Sequence, residues 1–168
     1  FASGEKHEHG SILHCFPNRL EDILLLQHFP QDWEAQYLLG CVYYDRLNYS
    51  AALACWRESA RLNPDYAFTW RNMAQALFDH CDQKEEARSA LENALRLAPD
   101  NARIVYELLQ LYKNIQMPVE DRLVFLENHE ELVRQRDDCF LEMIILYVQQ
   151  GSFEHARKLL LSKRFNIY

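Results

Sequence analysis

Pro30, Pro64 and Pro99 stand 34 and 35 residues apart in this chain of 168 residues. Each closes an apolar-periodic segment and is followed by a polar turn residue, Gln31, Asp65 or Asp100. Proline stops a helix because it lacks the N–H of the i→i−4 ladder and disfavours helical backbone in the residue before it. A period of this length marks a two-helix unit that cannot bury its apolar face alone and therefore stacks on its neighbours as a solenoid.

The bulk properties agree with that architecture and remove several functions. At 49% hydrophobic residues the chain can bury a core, and four glycines with five prolines are too few for a turn-rich all-β protein. The formal charge of −7 argues against a nucleic-acid partner, which requires a basic face. The apolar runs, such as Ile23-Leu24-Leu25-Leu26 and Leu159-Leu160-Leu161, fall far short of the roughly 18 residues that span a bilayer, so no membrane association is expected. Cys15, Cys41, Cys55, Cys81 and Cys139 are odd in number and form no C-x-x-C pair, the pattern of reduced thiols in a cytoplasmic protein. A start at Phe1 and an apolar ending, Phe165-Asn166-Ile167-Tyr168, read as a fragment of a longer protein.

From Trp33, the positions Tyr37, Leu39, Gly40, Val42, Tyr43 and Tyr44 follow helical spacing. Asn48 offers a turn, and Ala52, Leu53, Trp56 and Ala60 resume the period up to Leu62, predicting two antiparallel helices. Gly40 and Ala52 remove bulk where the helices cross, while Tyr43 and Trp56 fill the adjacent space. The next unit repeats the pattern through Trp70, Met73-Ala74, Leu77, Ala87, Leu91, Ala94 and Pro99, with an extra residue in the turn Cys81-Asp82-Gln83-Lys84. A third unit is predicted from Val105, Leu108-Leu109 and Tyr112, its second helix opened by Pro118 and running through Leu123 and Leu126. Asn128-His129 should break that helix, a short helix should follow over 130–136, and Asp137-Asp138 should cap the next. The last unit recovers the pattern at Phe140, Met143, Tyr147, Gly151, Phe153, Ala156 and Leu160.

Leu39-Gly40, Tyr43, Ala52, Trp56 and Pro64 resemble the signature positions of the tetratricopeptide repeat, and the later units resemble it in phase. The resemblance covers about residues 18–163 and implies an all-α fold, a right-handed superhelical stack of antiparallel helix hairpins. The expected organisation is a flexible segment 1–14 followed by one solenoid, 15–168. Within the solenoid a lone helix, 18–29, precedes repeats at about 33–66, 67–101, 102–136 and 137–168.

A narrower likeness rests on Tyr43-Tyr44-Asp45-Arg46, Trp70-Arg71-Asn72, Tyr106-Glu107-Leu108, Gln135-Arg136-Asp137-Asp138 and Arg164-Phe165. These resemble the repeat region of a bacterial family of uncharacterised function, in which repeats accompany a larger domain. That resemblance implies a parent protein near carbohydrate metabolism.

In such repeats the concave face is lined by the first helices, at their positions two, five, nine and twelve. Carried onto this chain they are Glu34, Tyr37, Cys41 and Tyr44, then Phe68, Arg71, Gln75 and Phe78, then Arg103, Tyr106, Gln110 and Lys113. Aromatics at helical spacing often serve the core, so Tyr43, Trp56 and Trp70 are assigned to packing. Tyr37, Tyr44, Arg71, Gln75, Phe78, Arg103, Tyr106 and Gln110 are the candidate groove residues for a protein or peptide partner. Tyr and Arg dominate interface energetics through large contact area and forked hydrogen bonds. The Lys and Asn with which related repeats clamp a chaperone's carboxylate tail are replaced by Tyr37 and Cys41, though Arg71 and Arg103 could meet a single acidic group. The apolar ends of the stack offer a route to self-association or to docking on another domain.

Catalytic and metal chemistry find little support. His7, His9, His14 and Cys15 are acceptable zinc ligand types, but their spacing matches no closed site, and no metal or cofactor is expected. His28, His80, His129 and His155 are isolated near helix ends. No Cys or Ser is set beside a His in a nucleophile signature, no glycine-rich phosphate loop occurs, and the acidic pairs Glu85-Glu86 and Glu130-Glu131 suit helix starts. The stretch reads as a binding module, not an enzyme.

Overall fold

The computed structural model describes residues 19–165; the segment 1–14, with His7, His9 and His14, and also Cys15 lie outside the described residues. The described chain is all-helical: α1 (Leu20–Leu26), α2 (Trp33–Asp45), α3 (Tyr49–Leu62), α4 (Ala67–Cys81), α5 (Lys84–Leu97), α6 (Ala102–Asn114), α7 (Val119–Asn128), α8 (Glu130–Gln135), α9 (Asp137–Gln149) and α10 (Phe153–Ser162). The first helices of the hairpins are α2, α4, α6 and α9; the second helices are α3, α5, α7 and α10.

Local chemistry sets the boundaries. Asp32 caps α2 by accepting hydrogen bonds from the N–H groups of Glu34 (2.8 Å) and Ala35 (3.2 Å), and Asn101 caps α6 by accepting from Arg103 N–H (3.1 Å). Each hairpin then turns through one residue in the left-handed region: Leu47 (φ 61°), Asp82 (φ 52°), Gln116 (φ 57°) and Gly151 (φ 78°). These residues are 35, 34 and 35 positions apart, so the period persists through the third unit although its closing proline is missing. Glycine occupies that conformation without steric cost and Asp82 tolerates it, whereas Leu47 and Gln116 are strained there.

Hairpins α2/α3 and α4/α5 are closely packed, with α3 against α4 and α5 against α6 joining successive units. Trp56, 2% exposed, lies so close over Gly40 that a Cβ there would meet its Nε1 at 2.3 Å. The missing side chain thus makes room for an indole as well as for a helix. Trp56 Nε1 donates to the Tyr37 carbonyl at 3.1 Å, tying the ring across the hairpin. Trp70 and Tyr43 are half-buried, their polar ends satisfied by the Pro64 carbonyl (2.8 Å) and the Gln27 amide (2.9 Å). Between the first two units, buried Ser59 donates to the Trp33 carbonyl and lies 3.2 Å from the Thr69 hydroxyl, so the polar pair is satisfied inside the core.

The third unit departs from the others. The fourth residue of each second helix is Ala52, Ala87, Arg122 and Ala156, and the alanines are all buried. Where alanine lets its hairpin close, Arg122 holds a guanidinium, 13% exposed, against Glu142 of α9 at 3.4 Å. Glu142 also accepts from Lys113 of α6 at 2.9 Å. The short α8 packs on α6 and α9, and α7 lies against α9. Tyr112 of α6 meets Phe125 of α7 edge-on at 5.1 Å, filling the widened gap.

Several boundaries differ from the sequence reading. The lone helix, Leu20–Leu26, ends three residues before the expected Phe29, and His28 Nδ1 lies 2.6 Å from the Leu24 carbonyl at its end. Pro118 precedes α7 as its cap residue, its extended ψ of 149° keeping it out of the helix. Asp137 and Asp138 lie inside α9 rather than capping it: Asp138 is held by Arg136 (2.7 Å), Asp137 by Lys163 (2.6 Å), and Arg136 is the cap position.

Candidate interaction groove

Successive first helices present their outer faces side by side, and two cavities open between them. The cavity between α4 and α6 has a volume of about 170 Å3 and is lined by Arg71, Ala74, Gln75, Phe78 and Asp79, by Leu91 of α5, and by Tyr106, Glu107, Gln110 and Leu111. Its floor is apolar, through Ala74, Phe78, Leu91 and Leu111, while two exposed amides, Gln75 and Gln110, stand at its mouth. A cavity this small, below the ~300–1,000 Å3 of small-molecule sites, suits one side chain of a longer ligand.

The neighbouring cavity, between α2 and α4, is lined by Cys41, Tyr44, Asp45, Trp56, Asn72 and Gln75, so Gln75 borders both. Here Asn72 Nδ2 donates to the Tyr37 hydroxyl at 3.3 Å and lies 3.6 Å from Cys41 Sγ. Burial pushes the Tyr37 phenol and the Cys41 thiol upward, which keeps both protonated and the polar cluster uncharged. Tyr44 is held further out: its hydroxyl lies 3.2 Å from His80 Nε2, and His80 stacks on Tyr49 at 3.6 Å. His80, expected to be isolated, is therefore part of an aromatic cluster.

Of the eight candidate groove residues, Arg71, Gln75, Phe78, Tyr106 and Gln110 converge on the first cavity, and Tyr44 lines the second. Tyr37 lies behind the second cavity in the Asn72 network, and Arg103 is at the rim. The guanidinium of Arg71, 14% exposed, makes a two-pronged ion pair with Glu107 through Nε (2.7 Å) and Nη2. Arg103 Nε joins the same carboxylate at 3.0 Å. The acidic group these two cations meet is therefore in the chain itself. Tyr106 lies under Arg136 at 4.5 Å, one face covered.

Asp45, Asp79 and Glu107 also stand on this face and were not among the candidates, nor were the groove positions of the fourth unit. Positions five, nine and twelve of α9 are Leu141, Ile145 and Val148, and these are 39%, 48% and 45% exposed. Counting the register one unit further would have found them. Among the described residues no group of His, Cys, Asp and Glu is placed to hold a metal ion, and no helix is long and apolar enough to cross a membrane.

The stacked hairpins and the face of exposed first-helix residues define a helical-repeat protein. Residues 33–66 match the tetratricopeptide repeat family, and the helix hairpins that follow stack in turn on that repeat. It is 30% identical over 84 residues to the peroxisomal targeting signal receptor of Saccharomyces cerevisiae, a match covering 50% of this chain and 14% of that much longer protein. Its fold is similar to a crystal structure of MamA with a TM-score of 0.69, at 20% identity over 82% of this chain and 80% of that one. MamA from residue 41 to its end, from Desulfovibrio magneticus RS-1, superposes with a TM-score of 0.64, at 18% identity over 84% and 81% of the two chains. At these identities the likeness to MamA is one of fold.

Proposed function

We propose that the chain is a protein-interaction scaffold that holds an extended segment of a partner protein along its first helices, centred on the cavity between α4 and α6. The observation that carries this reading is that cavity: Arg71, Gln75, Phe78, Tyr106 and Gln110, from two successive repeats, surround an apolar floor. Amides at the mouth can pair with the backbone of an extended peptide while its side chain enters the floor. The 30% identical yeast relative is by name a receptor for a targeting signal, which supports the same use.

Affinity capture with the wild type, Tyr106→Ala and Gln75→Trp tests the reading, with Arg57→Ala, on the outer Arg57–Glu86 pair, as control. A partner that the wild type and Arg57→Ala retain and the two groove variants lose is the expected result. Equal capture by all four overturns it.

Docking through the end of the stack is a second reading, favoured by the apolar surface of α10, where Phe153, Leu160 and Leu161 are 64%, 47% and 75% exposed. It has this end pack on another copy or on another domain of a longer protein. A strict monomer in sedimentation at high concentration removes the self-association form.

A further inference from the structure

The charges on the groove face are unequally satisfied. Arg71 and Arg103 share Glu107, Lys113 is bound to Glu142, and Arg136 is bound to Asp138. The positive charge on this face is thus matched within the chain. Of the carboxylates that line the two cavities, Asp45 and Asp79 are exposed and make no ion pair or hydrogen bond among the described residues.

Their placement is systematic. Each is the thirteenth residue of its helix, α2 or α4, and each lines one of the two neighbouring cavities. A carboxylate in the last turn sits at the negative end of the helix dipole, so the backbone opposes its charge and favours a cation beside it. The aromatic cluster of Tyr44, Tyr49 and His80 adjoins the same end, with Tyr44 and Tyr49 at 5.4 Å, and can offer a ring face to a cation. Asp79 belongs to the rim of the cavity whose floor is Ala74, Phe78, Leu91 and Leu111. A place for a positive group and a place for an aliphatic one are therefore contiguous. The chain's charge of −7 acts in the same direction at longer range.

We infer that the groove selects a basic, aliphatic peptide segment, with a Lys or Arg side chain between Asp45 and Asp79 and a branched aliphatic side chain in the cavity between α4 and α6. This rests on the groove reading above and adds the chemistry of the partner. It also reverses the expectation that Arg71 and Arg103 recruit an acidic one.

The test uses three fluorescein-labelled peptides of about twelve residues, long enough at ~3.3 Å per residue to cross both cavities. They carry repeated Arg-Gly-Val, Glu-Gly-Val or Gln-Gly-Val, and binding is read by fluorescence polarisation at low and high salt. The Arg peptide should bind at least about tenfold more tightly than the Glu peptide, with an affinity that falls as salt rises. Asp45→Asn with Asp79→Asn should weaken the Arg peptide about tenfold, flatten its salt dependence and leave the Gln peptide and the thermal midpoint unchanged. Gln75→Trp, which fills the border between the cavities, should weaken all binding. If the double Asn variant binds the Arg peptide like the wild type, or the Glu peptide binds as well, the inference is wrong; loss of binding in Gln75→Trp would then still uphold the groove. If no peptide binds, or Gln75→Trp changes nothing, both fail.

Discussion

Gly40→Ala is the sharpest probe of the packing inside a repeat. A Cβ at this position would lie 2.3, 2.4 and 2.7 Å from Nε1, Cδ1 and Cε2 of Trp56, whose ring is 2% exposed and cannot swing away. Overpacking of this kind costs about 1–3 kcal/mol, and displacement of the ring also strains the bond from Trp56 Nε1 to the Tyr37 carbonyl, worth about 1 kcal/mol. Ala in place of Gly inside a helix returns about 0.5–1 kcal/mol. The net expectation is a loss of about 1–3.5 kcal/mol, or roughly 2–14 °C in thermal midpoint for a chain of this size. Urea denaturation followed by circular dichroism measures it, and a double-mutant cycle identifies the cause. In a Trp56→Leu background the clash is gone, so Gly40→Ala should be neutral or stabilising by about 0.5–1 kcal/mol. An equal penalty in both backgrounds would refute the reasoning.

Further outcomes concern the third unit, the turns and pH. Glu142→Ala strands the guanidinium of Arg122, 13% exposed, and should cost on the order of 3 kcal/mol in urea denaturation. Arg122→Met leaves Glu142 paired with Lys113 and removes the buried Nε that lacks a partner, so it should cost less than about 1 kcal/mol. Leu47→Gly relieves a left-handed residue that is 72% exposed and should raise stability by up to about 1 kcal/mol, read as a higher thermal midpoint. The Cys139 thiol, buried in α9, is pushed from 9.0 up to about 12 by burial and then by the charge of Asp138. The folded state holds this proton more tightly than the unfolded state, so its contribution is complete below pH 9 and is lost as pH rises toward 12. Urea midpoints measured above pH 9 should fall less steeply for Cys139→Ala than for the wild type.

The first two hairpins were legible because their determinants are local and repeated: Pro64 and Pro99 close them, and Ala52 and Ala87 mark the close helix approach. In the third unit the proline signal stops after Pro99, while the period continues in the turn residues Leu47, Asp82, Gln116 and Gly151. Gly151, and more weakly Asp82, announce a left-handed turn by residue type, whereas Leu47 and Gln116 do not. Arg122 was a visible departure at an alanine position, but its meaning depended on Glu142, which another repeat supplies. The proposed groove follows the same division. Its residue positions follow from helical register, so Arg71, Gln75, Tyr106 and Gln110 could be named in advance. Its charge could not, because Arg71 and Glu107 are 36 residues apart and meet only when two repeats stack. A guanidinium that read as free was already bound, and the unpaired carboxylates that line the cavities are Asp45 and Asp79.

The central claim is that a partner segment lies across the first helices at the cavity between α4 and α6. Titrating the Arg-Gly-Val peptide into isotopically labelled protein and following amide resonances by NMR tests it most directly. The account predicts the largest shifts at Gln75, Phe78, Asp79, Tyr106 and Gln110, including the side-chain amides of the two glutamines, with α3 and α5 surfaces around Arg57 and Glu86 unchanged. Shifts confined to α10, or to the outer surface of α3 and α5, would contradict it.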